Sequence, residues 1–303
     1  MGSNRQEKVV GFIGFGEAAS EIALGLRDEG FTRLEAYDVN QAREPQGALV
    51  RNRASQAGIS LSKDCGDLIK RADILVSATS STVATSVAQD AAKYLSPGQL
   101  FADINSASPT TMEAASRAIA GTGAKFVDIA VMGPVPRSRH KVPMLASGEG
   151  AQEFADAMTP WGMNVRVIGS KPGQASAAKL VRSVYMKGAA ALLYEMCLAA
   201  DRYGVVDLVM ASVCEDMDAV PFEEMATRFI AGTAIHAGRR VHEMEDVLQM
   251  LDDLGTRSSM SAATTETLRW ISSLGLKEAL GGKAPSEYAT VLKAMRESPH
   301  ERS

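Results

Sequence analysis

The chain has 303 residues, of which 46% are hydrophobic and 22% charged, and its 32 basic and 36 acidic side chains leave a net charge of −4. At about 150 residues per domain this length predicts two domains with room for a large core. The charge balance excludes a dedicated nucleic-acid binder, which carries a strong basic excess, and the apolar content excludes a disordered chain. The three cysteines, Cys65, Cys197 and Cys214, are odd in number and have no metal-like or redox-like spacing, so a reduced, cytoplasmic setting without a metal site is expected. No apolar run approaches the roughly 18 residues of a membrane span. The polar start, Met1–Gln6, does not read as a signal peptide.

In chain order, short apolar runs alternate with helix-like stretches, the pattern of a parallel α/β sheet. Strands are expected at Val9–Ile13, Leu34–Tyr37, Ile74–Ser77, Leu100–Asp103, Lys125–Asp128, Pro143–Ala146 and Asn164–Val167. Between them Glu17–Arg27, Val83–Tyr94 and Thr110–Ala120 read as helices, the last opened by Ser108-Pro109, since proline suits a first turn. From Gln174 to about Arg202 there is no proline and a single glycine, Gly188, so one helix of roughly 45 Å is expected. Beyond it no strand appears, and breaks at Ala219–Pro221 and Leu274-Gly275 divide the remainder into helices. The architecture expected is a doubly wound, mostly parallel sheet in residues 1–171. An all-helical domain in residues 172–303 follows, opening with the long joining helix at about 173–203.

The first strand runs into Gly14-Phe15-Gly16-Glu17-Ala18-Ala19, a GxGxxA turn. Gly14 permits the tight turn, Gly16 lets backbone approach a pyrophosphate, and Ala19 keeps helix and sheet close, so that phosphates meet free N–H groups at the helix start. Such a turn also occurs without a nucleotide. Here it opens a βαβ unit, and an acid, Asp38, ends the second strand about twenty residues on, where it can bind both ribose hydroxyls and repel a 2′-phosphate. Asp38 favours NAD, while Arg43 close behind keeps NADP open.

On the long helix, Lys179 and Ser183 lie four apart and share a face, among the small or apolar Ala175, Ala177, Ala178 and Val181. A lysine desolvated in that way has the lowered proton affinity that acid/base exchange between alcohol and carbonyl requires. A lysine on the solvated side of an amphipathic helix is the alternative, and the residues alone do not decide between them.

The order of these motifs resembles the β-hydroxyacid dehydrogenase superfamily, which includes 3-hydroxyisobutyrate and 6-phosphogluconate dehydrogenases, over most of the first 200 residues. Gly11–Ala19 matches its cofactor turn. Asp103-Ile104-Asn105-Ser106-Ala107-Ser108-Pro109 resembles its Asp-x-Ser-Thr-x-x-Pro substrate segment, and Asp128–Pro134 the segment that usually ends Ser-Gly-Gly. Gly173-Gln174-Ala175 through Lys179 and Ser183 resembles the interdomain-helix motif, whose lysine is catalytic and whose asparagine four residues on binds substrate. Met132, Pro134 and Ser183 replace a serine, a glycine and that asparagine, so a substrate other than the usual small β-hydroxy acids is implied. Retention of Lys179 argues against the imine reductase branch, where the lysine is typically replaced, without excluding it. Three further clusters resemble a subgroup with a C-terminal domain of unknown function. They are Met132–Pro136 with His140, Arg182-Ser183 with Lys187-Gly188, and His236–Arg240 with Glu243-Met244.

The resemblance implies a Rossmann domain followed by a helical one, and an NAD(P)-dependent oxidoreductase moving a hydride between nicotinamide and a carbonyl or secondary alcohol of a small, carboxylate-bearing substrate. Lys179 would be the general acid/base. Gly14, Phe15, Gly16, Glu17, Ala18, Asp38, Thr79 and Asn105 would hold the cofactor, and Ser106, Met132, Gly133, Ser183 and His140 the substrate. A homodimer or larger homo-oligomer is implied, with no nucleic-acid or membrane partner. A dinucleotide-binding redox sensor without turnover, and an imine or enamine reductase, are the alternatives. His236, Arg239, Arg240 and Glu243 form one polar helix face, suited to anion capture or to a structural ion-pair network.

Overall fold

The computed structural model describes residues 8–298; the polar start and the last residues lie outside it. In chain order its elements are β1 (Val10–Ile13), α1 (Glu17–Asp28), β2 (Leu34–Tyr37), α2 (Gln46–Gln56), β3 (Ser60–Leu61), α3 (Cys65–Arg71) and β4 (Ile74–Ser77). Then follow α4 (Ala84–Ala91), β5 (Leu100–Asp103), α5 (Pro109–Ile119), β6 (Lys125–Val131), α6 (Val135–Ser138), β7 (Met144–Ser147), α7 (Ala151–Met158) and β8 (Val165–Gly169). The helical remainder comprises α8 (Gln174–Tyr203), α9 (Val206–Asp218), α10 (Phe222–Asp253), α11 (Ser259–Ser273), α12 (Leu276–Ala279) and α13 (Tyr288–Glu297). The chain divides within α8 into two compact units, Met1–Val184 and Tyr185–Ser303.

The eight strands form one sheet in the order β3-β2-β1-β4-β5-β6-β7-β8, parallel throughout except where β7 runs against β6. Its central strands are buried on both faces, which is why Val9–Ile13 and Ile74–Val76 read as unbroken apolar runs. Phe12 and Ile22 belong to the core on one face, and Phe101, Phe126 and Met112 to the core on the other. The order in which strands are added reverses between the parallel neighbours β1 and β4, the switch point at whose carboxyl-end crevice ligands bind in such sheets. At α5 the expected start is present: Pro109 occupies the first turn and the Ser108 hydroxyl accepts from the Thr111 N–H at 3.1 Å.

The expected elements are present with shifted ends. Strand β6 runs on to Val131, β7 and β8 begin one residue later than expected, and α4 ends at Ala91 rather than Tyr94. Strand β3 was not expected; two residues at a sheet edge show no alternation to read. In the second unit, α10 packs along α11 and α13; Gly204, at positive φ, follows the end of α8 where the sequence reading placed it, and Gly255, also at positive φ, follows the end of α10 at a place that reading passed over. Buried Glu195 caps α11 from the neighbouring helix, accepting from the N–H groups of Met260 at 2.9 Å and Ser261 at 2.8 Å.

Candidate functional site

Gly14 sits at φ 86°, and a Cβ there would come within 2.6 Å of the Ala78 carbonyl oxygen, so only glycine allows the loop after β1 to pass so close to β4. Two donors of the loop are turned back to β2: Gly14 N–H to the Tyr37 carbonyl and Phe15 N–H to Asp38 Oδ2, both at 2.8 Å. The other Asp38 oxygen accepts from Asn40 N–H at 2.8 Å. Gly16 begins α1 without a side-chain cap, leaving the first-turn N–H groups to an anion.

A cavity of about 590 Å³ opens beside this loop, lined by Gly14, Gly16, Asp38 and Thr79, with Tyr37 and Tyr94 among its walls. Its charged lining residues are both acids, Asp38 and Asp90. Burial, helped by Asp64 and Asp90, pushes the Cys65 thiol of the same wall up to about 11, so it stays protonated at neutral pH. The residues present fit a dinucleotide: an open glycine turn, an uncapped helix start and an acid at the end of β2.

A second pocket of about 370 Å³ shares Ala78 and Thr79 with the first and is lined by Ala18, Asn105, Ser106, Gly133 and Lys179. The Lys179 ammonium donates to Ser106 Oγ at 2.6 Å. Asn105 is buried and spans the two segments: its N–H donates to Asp103 Oδ1 at 2.8 Å and its amide to Ser77 Oγ at 3.1 Å and Thr79 Oγ1 at 3.4 Å. Burial drives the Asp103 carboxyl up to about 6 against the opposing Asn105 hydrogen bonds.

The structure thus brings Gly14, Gly16, Ala18, Asp38, Thr79, Asn105, Ser106, Gly133 and Lys179 to two adjoining pockets, and leaves five expected residues outside them. Phe15 is fully buried in the core, and Glu17 points into solvent. Met132 N–H is used by the Pro143 carbonyl at 2.8 Å, continuing the β6–β7 pairing. Ser183 Oγ bonds back to the Lys179 carbonyl at 3.1 Å. His140, expected near substrate or on a surface loop, does neither. It is 3% exposed, packed on α1 over Gly25 and 3.7 Å from Glu29, and burial pushes its pKa down, so it is a neutral packing residue. On α10, Arg239 pairs with Glu243 at 2.8 Å across one turn, and His236 is exposed.

The sequence reading missed a row of buried polar residues at the carboxyl edge of the sheet. Ser77, Asp103, Asp128 and Ser147 are successive cross-strand partners on β4, β5, β6 and β7, and all are fully buried. Their one signal in the sequence was a polar residue closing three short apolar strands and a lone aspartate within a fourth.

A family profile described as the NAD binding domain of 6-phosphogluconate dehydrogenase matches residues 9–169. The chain belongs to this family. A second profile, a domain of unknown function (DUF1932), matches residues 200–271, as the C-terminal clusters led us to expect. The chain is 31% identical over 238 residues to the uncharacterized 28.5 kDa protein in the 7S RNA 5′ region of Methanothermus fervidus, covering 78% of this chain and 88% of that one. Among solved structures, a conserved protein of unknown function, described as structurally similar to 3-hydroxyacid dehydrogenases, is 33% identical, with a TM-score of 0.59 and coverage of 90% and 98%. An imine reductase from Pseudomonas sp. is 19% identical, with a TM-score of 0.67 and coverage of 96% and 100%, a likeness of fold. The chain is therefore an NAD(P)-dependent oxidoreductase of dehydrogenase type, on a fold it shares with imine reductases. Among the described residues no helix is long and apolar enough to cross a membrane.

Proposed function

We propose that this protein is a cytoplasmic dehydrogenase or reductase in which Lys179 is the general acid/base for a carbonyl or secondary alcohol. The observation that carries this is the Lys179–Ser106 hydrogen bond in a pocket that shares two wall residues with the dinucleotide cavity. When bound, the nicotinamide supplies or receives the hydride. In the reductive direction the Lys179 ammonium gives its proton to the substrate oxygen as that oxygen gains charge, and in oxidation its neutral amine takes the hydroxyl proton. Ser106 holds the amine in place and offers its hydroxyl to the same oxygen. Among the described residues Lys179 is the one charged residue lining this pocket, so a substrate carboxylate would be met by neutral donors such as the Ser81 hydroxyl and the Gly133 N–H.

Among the described residues none that lines the dinucleotide cavity is basic, and this, together with Asp38, supports NAD over NADP. We also propose a homo-oligomer: α8 exposes Val181 at 71%, Val184 at 76% and Tyr194 at 76%, an apolar surface that a second copy would cover.

Titration with NADH and NADPH, read by nucleotide fluorescence, followed by a panel of hydroxy acids, keto acids, polyols and imines, tests the proposal. NADH should bind more tightly. Lys179→Ala should leave its Kd unchanged and lower kcat by about 10²–10⁴-fold. Full turnover in that variant would remove the acid/base role, and binding of neither nucleotide would remove the dinucleotide site.

A further inference from the structure

We propose that Asp128 is the positioning residue that sets Lys179 against Ser106, a role that rests on the acid/base assignment above. The argument begins with the start of α8. A helix leaves its first N–H groups without intrahelical acceptors, and water or a side chain of the preceding loop commonly takes them. Here the acceptors come from the sheet, far away in sequence. Asp128 on β6 accepts through Oδ2 from Gly173 N–H at 3.0 Å and Ser176 N–H at 3.1 Å, and through Oδ1 from the Ser176 hydroxyl at 2.7 Å. Ser147 on β7 donates to Asp128 Oδ2 at 3.1 Å and accepts from Ala175 N–H at 3.0 Å.

Four bonds to one fully buried carboxylate, from donors on β7 and the start of α8, fix both the height and the rotation of the helix end. The charge is matched to its place, because an anion at a helix N-terminus is favoured by the helix dipole. Ser176 and Lys179 lie three residues apart on α8, so fixing the first fixes the side from which the second leaves the helix.

The other end of the Lys179–Ser106 bond is anchored one strand away. Asp103, the cross-strand partner of Asp128, accepts from Asn105 N–H at 2.8 Å, immediately before Ser106. Two neighbouring carboxylates on adjacent strands therefore hold the two segments that carry the pair. Ser106 is placed by Asp103 and Lys179 by Asp128, and the distance between them is set by the spacing of β5 and β6.

The test needs no substrate. Competitive acetylation with acetic anhydride over pH 7–11, read by mass spectrometry, reports the reactivity and titration of each lysine. The exposed Lys63 and Lys277 serve as internal references. In Asp128→Asn the amide turns an N–H toward backbone donors, and Lys179 labelling relative to Lys63 should rise at least threefold with a displaced titration midpoint. NADH affinity should stay within twofold of the parent. Ser176→Ala removes one bond of the four, and should give a smaller rise in the same direction even where Asp128→Asn does not fold. Unchanged Lys179 labelling in Ser176→Ala, or an equal rise at every lysine, would overturn the proposal. Because labelling does not depend on turnover, the proposal can stand or fall separately from the Lys179→Ala result.

Discussion

Residues 8–184 pack apolar side chains onto both faces of a single sheet, and their largest buried residues, Phe12, Phe31, Phe101 and Phe154 among them, are fully enclosed. Residues 185–298 bury a cluster of five: Ala231, Ala234, Leu274, Leu276 and Val291. The helices of that second region instead expose Tyr194 at 76%, Leu208 at 71% and Phe222 at 54%. The difference follows from how each element hides its apolar surface. A doubly wound sheet covers its own strands with helices, whereas a set of helices with apolar residues around much of its circumference needs another surface to complete it. The N-terminal unit thus encloses its apolar core within its own layers, and the C-terminal unit leaves much apolar surface exposed.

The largest effect should come from the first core. Phe12→Ala removes a fully buried ring from the centre of the sheet and should cost about 3–5 kcal/mol of unfolding free energy by denaturant titration. A loss below about 1 kcal/mol would mean that the sheet core is looser than its burial indicates.

The two units should also answer acidification oppositely. Asp103 has its folded-state pKa raised to about 6 by burial, so its contribution is fully present below the ordinary carboxylate range and is lost as pH rises through 6. Asp103→Asn should therefore stabilise the N-terminal unit at pH 8 by up to about 3 kcal/mol, with the advantage fading toward pH 4. Glu195 carries the opposite sign: burial works to raise its pKa, but the Met260 and Ser261 hydrogen bonds outweigh it and hold the group low. Its helix cap is present above the ordinary glutamate range and is lost as pH falls through the lowered value. Thermal melts of the parent and of Asp103→Asn at pH 4, 6 and 8 measure this, and a pH-independent difference would contradict it.

The smaller effects concern the surfaces. Tyr194→Asp should weaken self-association by about 2 kcal/mol or more, which sedimentation velocity reads as a shift toward monomer, while the variant's sheet unit melts as the parent's does. A chain that is monomeric before the substitution would break the comparison at its root. Arg239→Ala, which removes one exposed pair with Glu243, should change stability by less than about 0.5 kcal/mol.

Much of the fold was legible because it depends on local pattern. Buried strands appear as short apolar runs, α8 as a long proline-free stretch, and the nucleotide turn as glycines at set spacing after β1. Contacts across many residues were not legible. Nothing near Asp128 announces that it caps a helix 45 residues further on, because a buried aspartate in a strand looks the same whatever it accepts from. His140 was placed near substrate by its loop, yet it needs Gly25, on another element, to make room for its ring. The antiparallel course of β7 left no mark either, since strand direction is set by the connection and not by composition.

The bond from Phe15 N–H to Asp38 has a practical consequence for anyone wishing to exchange the coenzyme. Replacing that aspartate is the obvious first edit toward a 2′-phosphate, but here the same carboxylate is the latch that closes the glycine loop onto β2. A cationic or apolar replacement would strand the N–H groups of Phe15 and Asn40 together. Redesign should therefore begin with a short acceptor such as serine or asparagine at this position, and bring the positive charge from Arg43 or a new neighbour rather than from residue 38 itself.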